Sequence, residues 1–311
     1  MLDRASSFAD KDVIELLQRR FVPVALDVWY EERRQDAAGE FFRKVVFQRE
    51  GLTPGRTTQG FYAFAPDGAL LEGWNHRGVD RLKERLKAAL DEWKPGAAAA
   101  LTGAVDSRFD RTLPAGARIV EVRARITDAK WPEPEDEFRR IMQRATSLDH
   151  LWLLAEEIES LRAGRFPPEL ARRIARFHCI DNTRGEPPLW EPEEVVRCEV
   201  TLAPGTGRAK DATVDGVIAL RSADGTRRYD ARIGGSVEFT GDALARFDLA
   251  IRGTFAGGGE YTCHPPPGDF TLAIVFRLVA PAADGSLPAA SRVPPQGARW
   301  LDDYLGRVAG R

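Results

Sequence analysis

Several things are scarce in this chain, and each shortage narrows its function. Only three cysteines, Cys179, Cys198 and Cys263, are spread over 311 residues, and no CxxC occurs. An odd number at wide spacing argues against a disulfide framework, so a reducing cytoplasm is the expected home. No run approaches the roughly 18 apolar residues that mark a membrane span. The opening Met-Leu-Asp-Arg-Ala-Ser-Ser-Phe lacks a basic stretch followed by an apolar one, so neither a secretory signal nor a membrane partner is expected. Charge of a single sign is lacking too: 45 Lys and Arg stand against 47 Asp and Glu, mixed along the chain. That removes the basic footprint of a nucleic-acid binder. With only four histidines, the sequence has no HxxxH, HxH or HExxH, the local signatures of metal-binding helices and strands.

What is present divides the chain. Residues 1–94 carry alternating helix and strand patterns. Ser7 to Arg20 predicts a helix, with Ser7 or Asp10 as cap and Val13, Ile14, Leu16 and Leu17 on one face. Phe21 to Val28 is almost wholly apolar and reads as a buried strand, with Pro23 where no ladder donor is needed. Asp36 to Phe47 reads as a second helix. Phe61 to Ala65 and Leu70 to Trp74 form a hairpin across Pro66-Asp67-Gly68. Asp80 to Trp93 closes the unit as an amphipathic helix, with Val79, Leu82, Leu86, Leu90 and Trp93 on its stripe. The charges of Glu31, Glu32, Arg33, Arg34 and Asp36 fit a solvated helix start.

Residues 95–115, opening with Pro-Gly-Ala-Ala-Ala-Ala just after Lys94, read as a linker. A second domain over 116–280 follows. Its first strand is expected at Ile119 to Ile126, its helices within 135–178 (Glu135 to Arg144, Leu148 to Leu161, Glu169 to His178). From Val195 to residue 279 the period changes to two, around Cys198-Leu202, Val214-Leu220, Phe247-Ile251 and Phe270-Leu278, with turns at Asp224-Gly225 and Thr240-Gly241-Asp242. That pattern predicts an antiparallel sheet, either a sandwich or a partly closed barrel. Residues 281–311 read as a connector and a short terminal helix over Trp300 to Val308. The fold class expected is therefore α+β.

The first third also resembles a known fold. Ser7-Phe8, Asp10, Val13, Leu16, Phe21-Val22-Pro23-Val24 and Asp27, with the later Pro66-Asp67-Gly68, are similar to thioredoxin-like domains of the spermatogenesis-associated type. In that family a CxxC lies about ten residues before the position of Ser7, and a proline, usually cis, precedes the strand that ends in Pro-Asp-Gly. Here the first would fall at or before Met1, and Gln59 stands in place of the second. The resemblance thus implies a degenerate thioredoxin-like α/β domain, over 1–94 only, without redox cysteines. It also implies either a reading frame that starts further upstream or a sheet rebuilt with other strands. A second alignment sets Phe21 to Val28 before the active site and Glu31 to Arg34 at the CxxC loop, again without cysteine. Disulfide exchange needs a low-pKa thiolate at a helix N-terminus, so redox chemistry by this domain is not expected.

Chemistry, if present, is expected in Arg176-Phe-His-Cys-Ile-Asp-Asn-Thr-Arg-Gly-Glu, a polar stretch leaving a helix. His178, Asp181, Arg184 and Glu186 are the acid–base candidates. His150, next to Asp149, joins His178 and Asp181 as candidate ligands of a divalent metal. Against this stands a structural arrangement: a buried Asp181–Arg184–Glu186 network at a helix-to-sheet junction, with His150 and His178 hydrogen-bonded in the core. That arrangement is favoured, because no ligand spacing is local. Cys179 beside His178 lacks a thiolate-stabilising neighbour and is not read as a nucleophile. Gly257-Gly258-Gly259 opens no helix and lacks the Lys-Ser/Thr of a nucleotide loop. The function expected is a non-redox binding or scaffold protein, with a protein partner or small ligand and no cofactor. The alternative is a metal-dependent or acid–base enzyme in the second domain.

Overall fold

The computed structural model describes residues 7–26, 28–76, 78–106, 113–205, 211–262, 264–279 and 303–305. The chain divides into two compact units, one around Asp3–Arg111 and one around Thr112–Pro294 with Arg299–Arg311.

In the first unit Asp10 caps helix α1 (Lys11–Arg20), its carboxylate accepting from the Val13 amide at 3.1 Å. The chain beyond is not the expected buried strand. Phe21 to Leu26 is extended but unladdered, with Val22 90%, Val24 66% and Leu26 51% exposed. Pro23 withholds a donor here. The unit's described sheet is the hairpin β1 (Phe61–Phe64) and β2 (Leu70–Trp74), whose strands pair only with each other. An apolar run with no neighbouring strand edge to join cannot become a strand.

Val28 instead opens a short helix, α2 (Val28–Arg33), and Asp36 caps α3 (Ala37–Val46) through the Gly39 amide at 3.1 Å. Arg34 grips both oxygens of Asp36 at 2.7 and 2.6 Å. The Asp106 amide adds a fourth donor at 2.9 Å. The Arg34 contact above all, with these amides, holds the Asp36 carboxyl far below its ordinary range. The charges expected in a solvated loop are thus partly internal: Glu31 and Asp36 are both buried. Helix α4 (Val79–Glu92) buries Leu82, Leu86 and Ala89, the two leucines sharing a core with Val13 and Trp74. Trp93, expected on that stripe, lies past the helix end and is 41% exposed.

The second unit is a curled antiparallel sheet of seven strands, a half-barrel, with helices. Its strands are β3 (Arg118–Asp128), β4 (Asp149–Leu153), β6 (Val195–Pro204), β7 (Asp211–Arg221), β8 (Arg228–Thr240), β9 (Ala243–Ala256) and β11 (Asp269–Leu278). They lie in the order β4-β3-β11-β9-β8-β7-β6. Two-residue strands β5 (Gly185–Glu186) and β10 (Tyr261–Thr262) pair separately. Strict alternation explains the long members: in β11, Phe270, Leu272, Ile274 and Phe276 are buried while Val275 is 47% exposed. Gly235 and Gly253 permit the tight curl, since a Cβ on either would overlap a carbonyl of the next strand, Asp248 or Asp230.

Helices α5 (Glu137–Arg144), α6 (Ala155–Arg162) and α7 (Pro168–Arg173) complete the unit, α7 running into a π-helical turn at Ile174–His178. Leu161, Leu170 and Ile174 share one core with Ile218, Ile233, Ile251 and Ile274 of the sheet. The helix expected over Leu148 to Leu161 is in fact a strand followed by a helix. Leu151, Trp152 and Leu153 are all buried, a continuous apolar run that suits a strand covered on both faces as well as a helix. The helix starts only after Leu154, where the Glu157 carboxylate takes the Leu154 amide at 2.9 Å. Strand β8 was not among the expected strands, because Gly234-Gly235 interrupts its alternation. Of the expected terminal helix only 303–305 fall among the described residues; the connector and Cys263 lie outside them. Among the described residues no helix is long and apolar enough to cross a membrane.

Candidate functional site

The buried polar groups converge on the outer edge of the short strand β4. Trp152 pairs with Ile119 inside the sheet, yet its amide and carbonyl both meet side chains. The amide donates to the Tyr304 hydroxyl at 3.2 Å, and the carbonyl accepts from Arg173 Nη2 at 3.0 Å. In an antiparallel pair one residue's N–H and C=O point the same way, so these bonds close the edge that β3 leaves open.

Behind them the network continues. His178 Nε2 lies 3.1 Å from the Tyr304 hydroxyl, and Nδ1 lies 3.2 Å from Asp149 Oδ2. A carboxylate only accepts, so Nδ1 carries the proton; Nε2 then accepts from the phenol, whose oxygen receives the Trp152 amide. This assignment gives each of these groups a partner. On the other side Arg173 pairs with Glu157, the carboxylate that also caps α6. His178, Asp149, Glu157, Arg173 and Tyr304 are each at most 5% exposed. Burial pushes the Tyr304 phenol well above its ordinary range, with Arg173 opposing the shift. Asp303 adds a bidentate pair with Arg176 at 2.8 and 3.1 Å.

A second buried knot follows directly. Asp181 accepts from the Thr183 amide and hydroxyl and pairs with Arg184, whose side chain is fully buried. Arg184 lies over the Phe270 ring at 5.9 Å and the Trp131 ring at 5.8 Å. Nearby, Trp190 Nε1 donates to the Cys179 carbonyl at 2.7 Å, and the Arg227 guanidinium stacks 3.8 Å from the Trp190 ring. These contacts fasten the loop after the π turn to the sheet.

The sequence candidates therefore separate. His178 joins Asp149 and Tyr304, while Asp181 joins Thr183 and Arg184. Glu186 does not enter the second knot: it is exposed on β5, opposite Tyr261 of β10. His150 follows Asp149 in β4, so it points to the opposite face from the carboxylate that holds His178, and it sits opposite Glu121. It is therefore not brought together with His178 and Asp181, the other two candidate metal ligands. Among the described residues no three His, Cys, Asp or Glu side chains gather in a metal-holding group. Cys179 is fully buried, and desolvation raises its thiol well above the ordinary value.

Tyr304, Arg173 and Glu157 were missed because they come from three elements; only the Glu157 position, three residues past the Leu154 cap, left a local trace. On the surface of the same unit, Trp131, Pro134, Arg139, Met142, His264 and Pro265 help line a recess of about 270 Å³. His264 there adopts φ 45, the one non-glycine positive φ among the described residues. Compared with known proteins, the chain matches no family model, no curated protein and no solved structure.

Proposed function

We propose that this is a non-redox binding or scaffold protein. One observation carries the reading: of the candidate side chains, His178, Asp181 and Arg184 are buried and end on structural targets. His178 and Tyr304 lead to the Trp152 amide, Arg173 to the Trp152 carbonyl, and Asp181 to its own turn and Arg184. Acid–base catalysis needs a group that reaches substrate and titrates near the working pH. Tyr304 is buried and its phenol is shifted the wrong way for a base or nucleophile. The recess beside Trp131 sets aromatic and proline surface beside Glu135, Arg139 and His264, which suits contact with a polar ligand or a partner side chain.

In the same reading the first unit is a thioredoxin-like module retired from disulfide exchange. Its support is the resemblance of residues 7–68 together with the Phe61–Trp74 hairpin that leads into helix α4. Free Cys179 and Cys198 suit a reducing, cytoplasmic setting.

The test is a turnover panel of disulfide, carboxyl-ester and phosphate-ester substrates on the wild-type chain and on His178→Gln and Asp181→Asn. The expected result is no turnover that depends on either residue. A turnover abolished in a variant that keeps its near-UV circular dichroism would overturn the reading in favour of an enzyme.

A further inference from the structure

The outer face of the seven-stranded sheet carries a block of arginines that the chain answers only in part. On β11 the residues Phe270, Leu272, Ile274 and Phe276 are buried in the core, so Ala273 and Val275 point outward. Their register partners on the neighbouring strands share that face. Ala273 lies opposite Arg125 of β3 on one side and Arg252 of β9 on the other. Arg252 in turn lies opposite Arg232 of β8. In the next row Val275 stands between Arg123 and Ala250, and Ala250 faces Gly234. All four arginines are exposed, and these two rows contain no carboxylate.

Two of the four are answered from outside the block. Arg123 pairs with Glu121 at 2.7 Å, and Arg232 pairs with Asp215 at 3.0 Å. Among the described residues Arg125 and Arg252 pair with no carboxylate. Arg252 nevertheless stands directly across from Arg232, and like charges so placed are unfavourable. Between Arg125 and Arg252 lies only the methyl group of Ala273. The two arginines are two strand spacings apart, about 9–10 Å, so a carboxylate resting over Ala273 is within reach of both guanidinium groups. Val275, 47% exposed, extends a shallow apolar floor beside it.

The borders of the block select the partner. On one side Glu121 and Asp248 flank Arg277; on the other, Asp128 and Asp230 stand opposite Thr271 and Thr254. These acidic positions repel a long polyphosphate or an anionic bilayer laid across the sheet, and the block offers no aromatic ring on which a base can stack. A short segment with few charges avoids both penalties. We propose that Arg125 and Arg252 dock an acidic peptide segment of a partner protein, with one of its carboxylates seated over Ala273. This names the partner class for the binding-protein reading and rests on it; the turnover panel decides that reading, and peptide binding decides this surface.

Fluorescence anisotropy of the full chain with a rhodamine-labelled octapeptide of alternating glutamate and serine tests the proposal. The same peptide with lysine for glutamate, an oligothymidylate and phosphatidylserine vesicles serve as comparisons. The wild type is expected to bind the glutamate peptide, more weakly as salt is raised, and to ignore the lysine peptide. Arg125→Gln/Arg252→Gln weakens binding by about tenfold or more. Arg197→Gln/Arg221→Gln removes two charges already paired with Glu199 and Asp230 and changes it by less than about twofold. Ala273→Glu supplies the carboxylate from within the chain and excludes the peptide. All three variants keep the wild-type near-UV circular dichroism, which separates lost docking from lost fold. A wild type that does not bind the glutamate peptide, or two double variants that bind it alike, overturns the proposal. So does tighter binding of the oligothymidylate or the vesicles than of the peptide.

Discussion

Tyr304→Phe isolates the seal on strand β4, because the ring stays and only the hydroxyl leaves. The Tyr304 ring is 2% exposed and packs edge-on against Phe177, with centroids 5.0 Å apart, so phenylalanine fills the same space. What disappears is the acceptor of the Trp152 amide at 3.2 Å and the donor to His178 Nε2 at 3.1 Å. Each buried group left without a partner costs about 1–3 kcal/mol, and these two bonds are at the long end, so the sum is about 2–4 kcal/mol. For a unit of this size each kcal/mol lowers the midpoint by about 2–4 °C, which gives a fall of about 4–16 °C. Differential scanning calorimetry reads it directly. A double-mutant cycle with His178→Leu should return a coupling of about 1 kcal/mol, since the residues share one bond. A fall below about 2 °C, or zero coupling, would refute the edge-closing role.

Three further outcomes follow from the same geometry. Asp181→Asn leaves the fully buried Arg184 guanidinium without its carboxylate and should cost about 3–5 kcal/mol in urea unfolding, far more than a surface charge loss. Asp36 has a native pKa depressed below its ordinary 3.8, so its contribution is complete above that value. It is lost as pH falls through the native pKa, because the unfolded chain binds the proton more readily. Acid unfolding of the first unit should therefore steepen below pH 3.8, and the Asp36→Asn variant should lack that component. The Cys179 thiol, raised by burial, should resist iodoacetamide until the chain unfolds, and Cys198, pushed up to about 11, should react slowly at neutral pH. Residue-level mass spectrometry checks both.

The sequence showed the sheet where alternation was unbroken, as in Phe270 to Leu278, and the helix caps where a single side chain decides, as at Asp10. It misled where burial rather than period dictated the element. Leu151-Trp152-Leu153 is apolar throughout, and only the distant partners Tyr304 and Arg173 reveal it as an edge strand. Phe21 to Leu26 misled in the opposite way: its apolar composition suited a strand, but strand formation needs a neighbour, and composition carries no information about neighbours.

For the site, the polar stretch from Arg176 to Glu186 was legible as unusual. Its internal Asp181–Arg184 pair was legible too, since the residues are three apart. The His178 network was not, because Asp149, Tyr304 and Trp152 come from other parts of the chain.

The most direct test of the structural role of these polar residues is amide hydrogen exchange at Trp152, compared with Ile233 in the middle of the sheet, in wild type and Tyr304→Phe. If Tyr304 seals the β4 edge, the Trp152 amide loses more protection than Ile233 does. Equal protection at Trp152 in both proteins would contradict it and return His178 and Tyr304 to the search for chemistry.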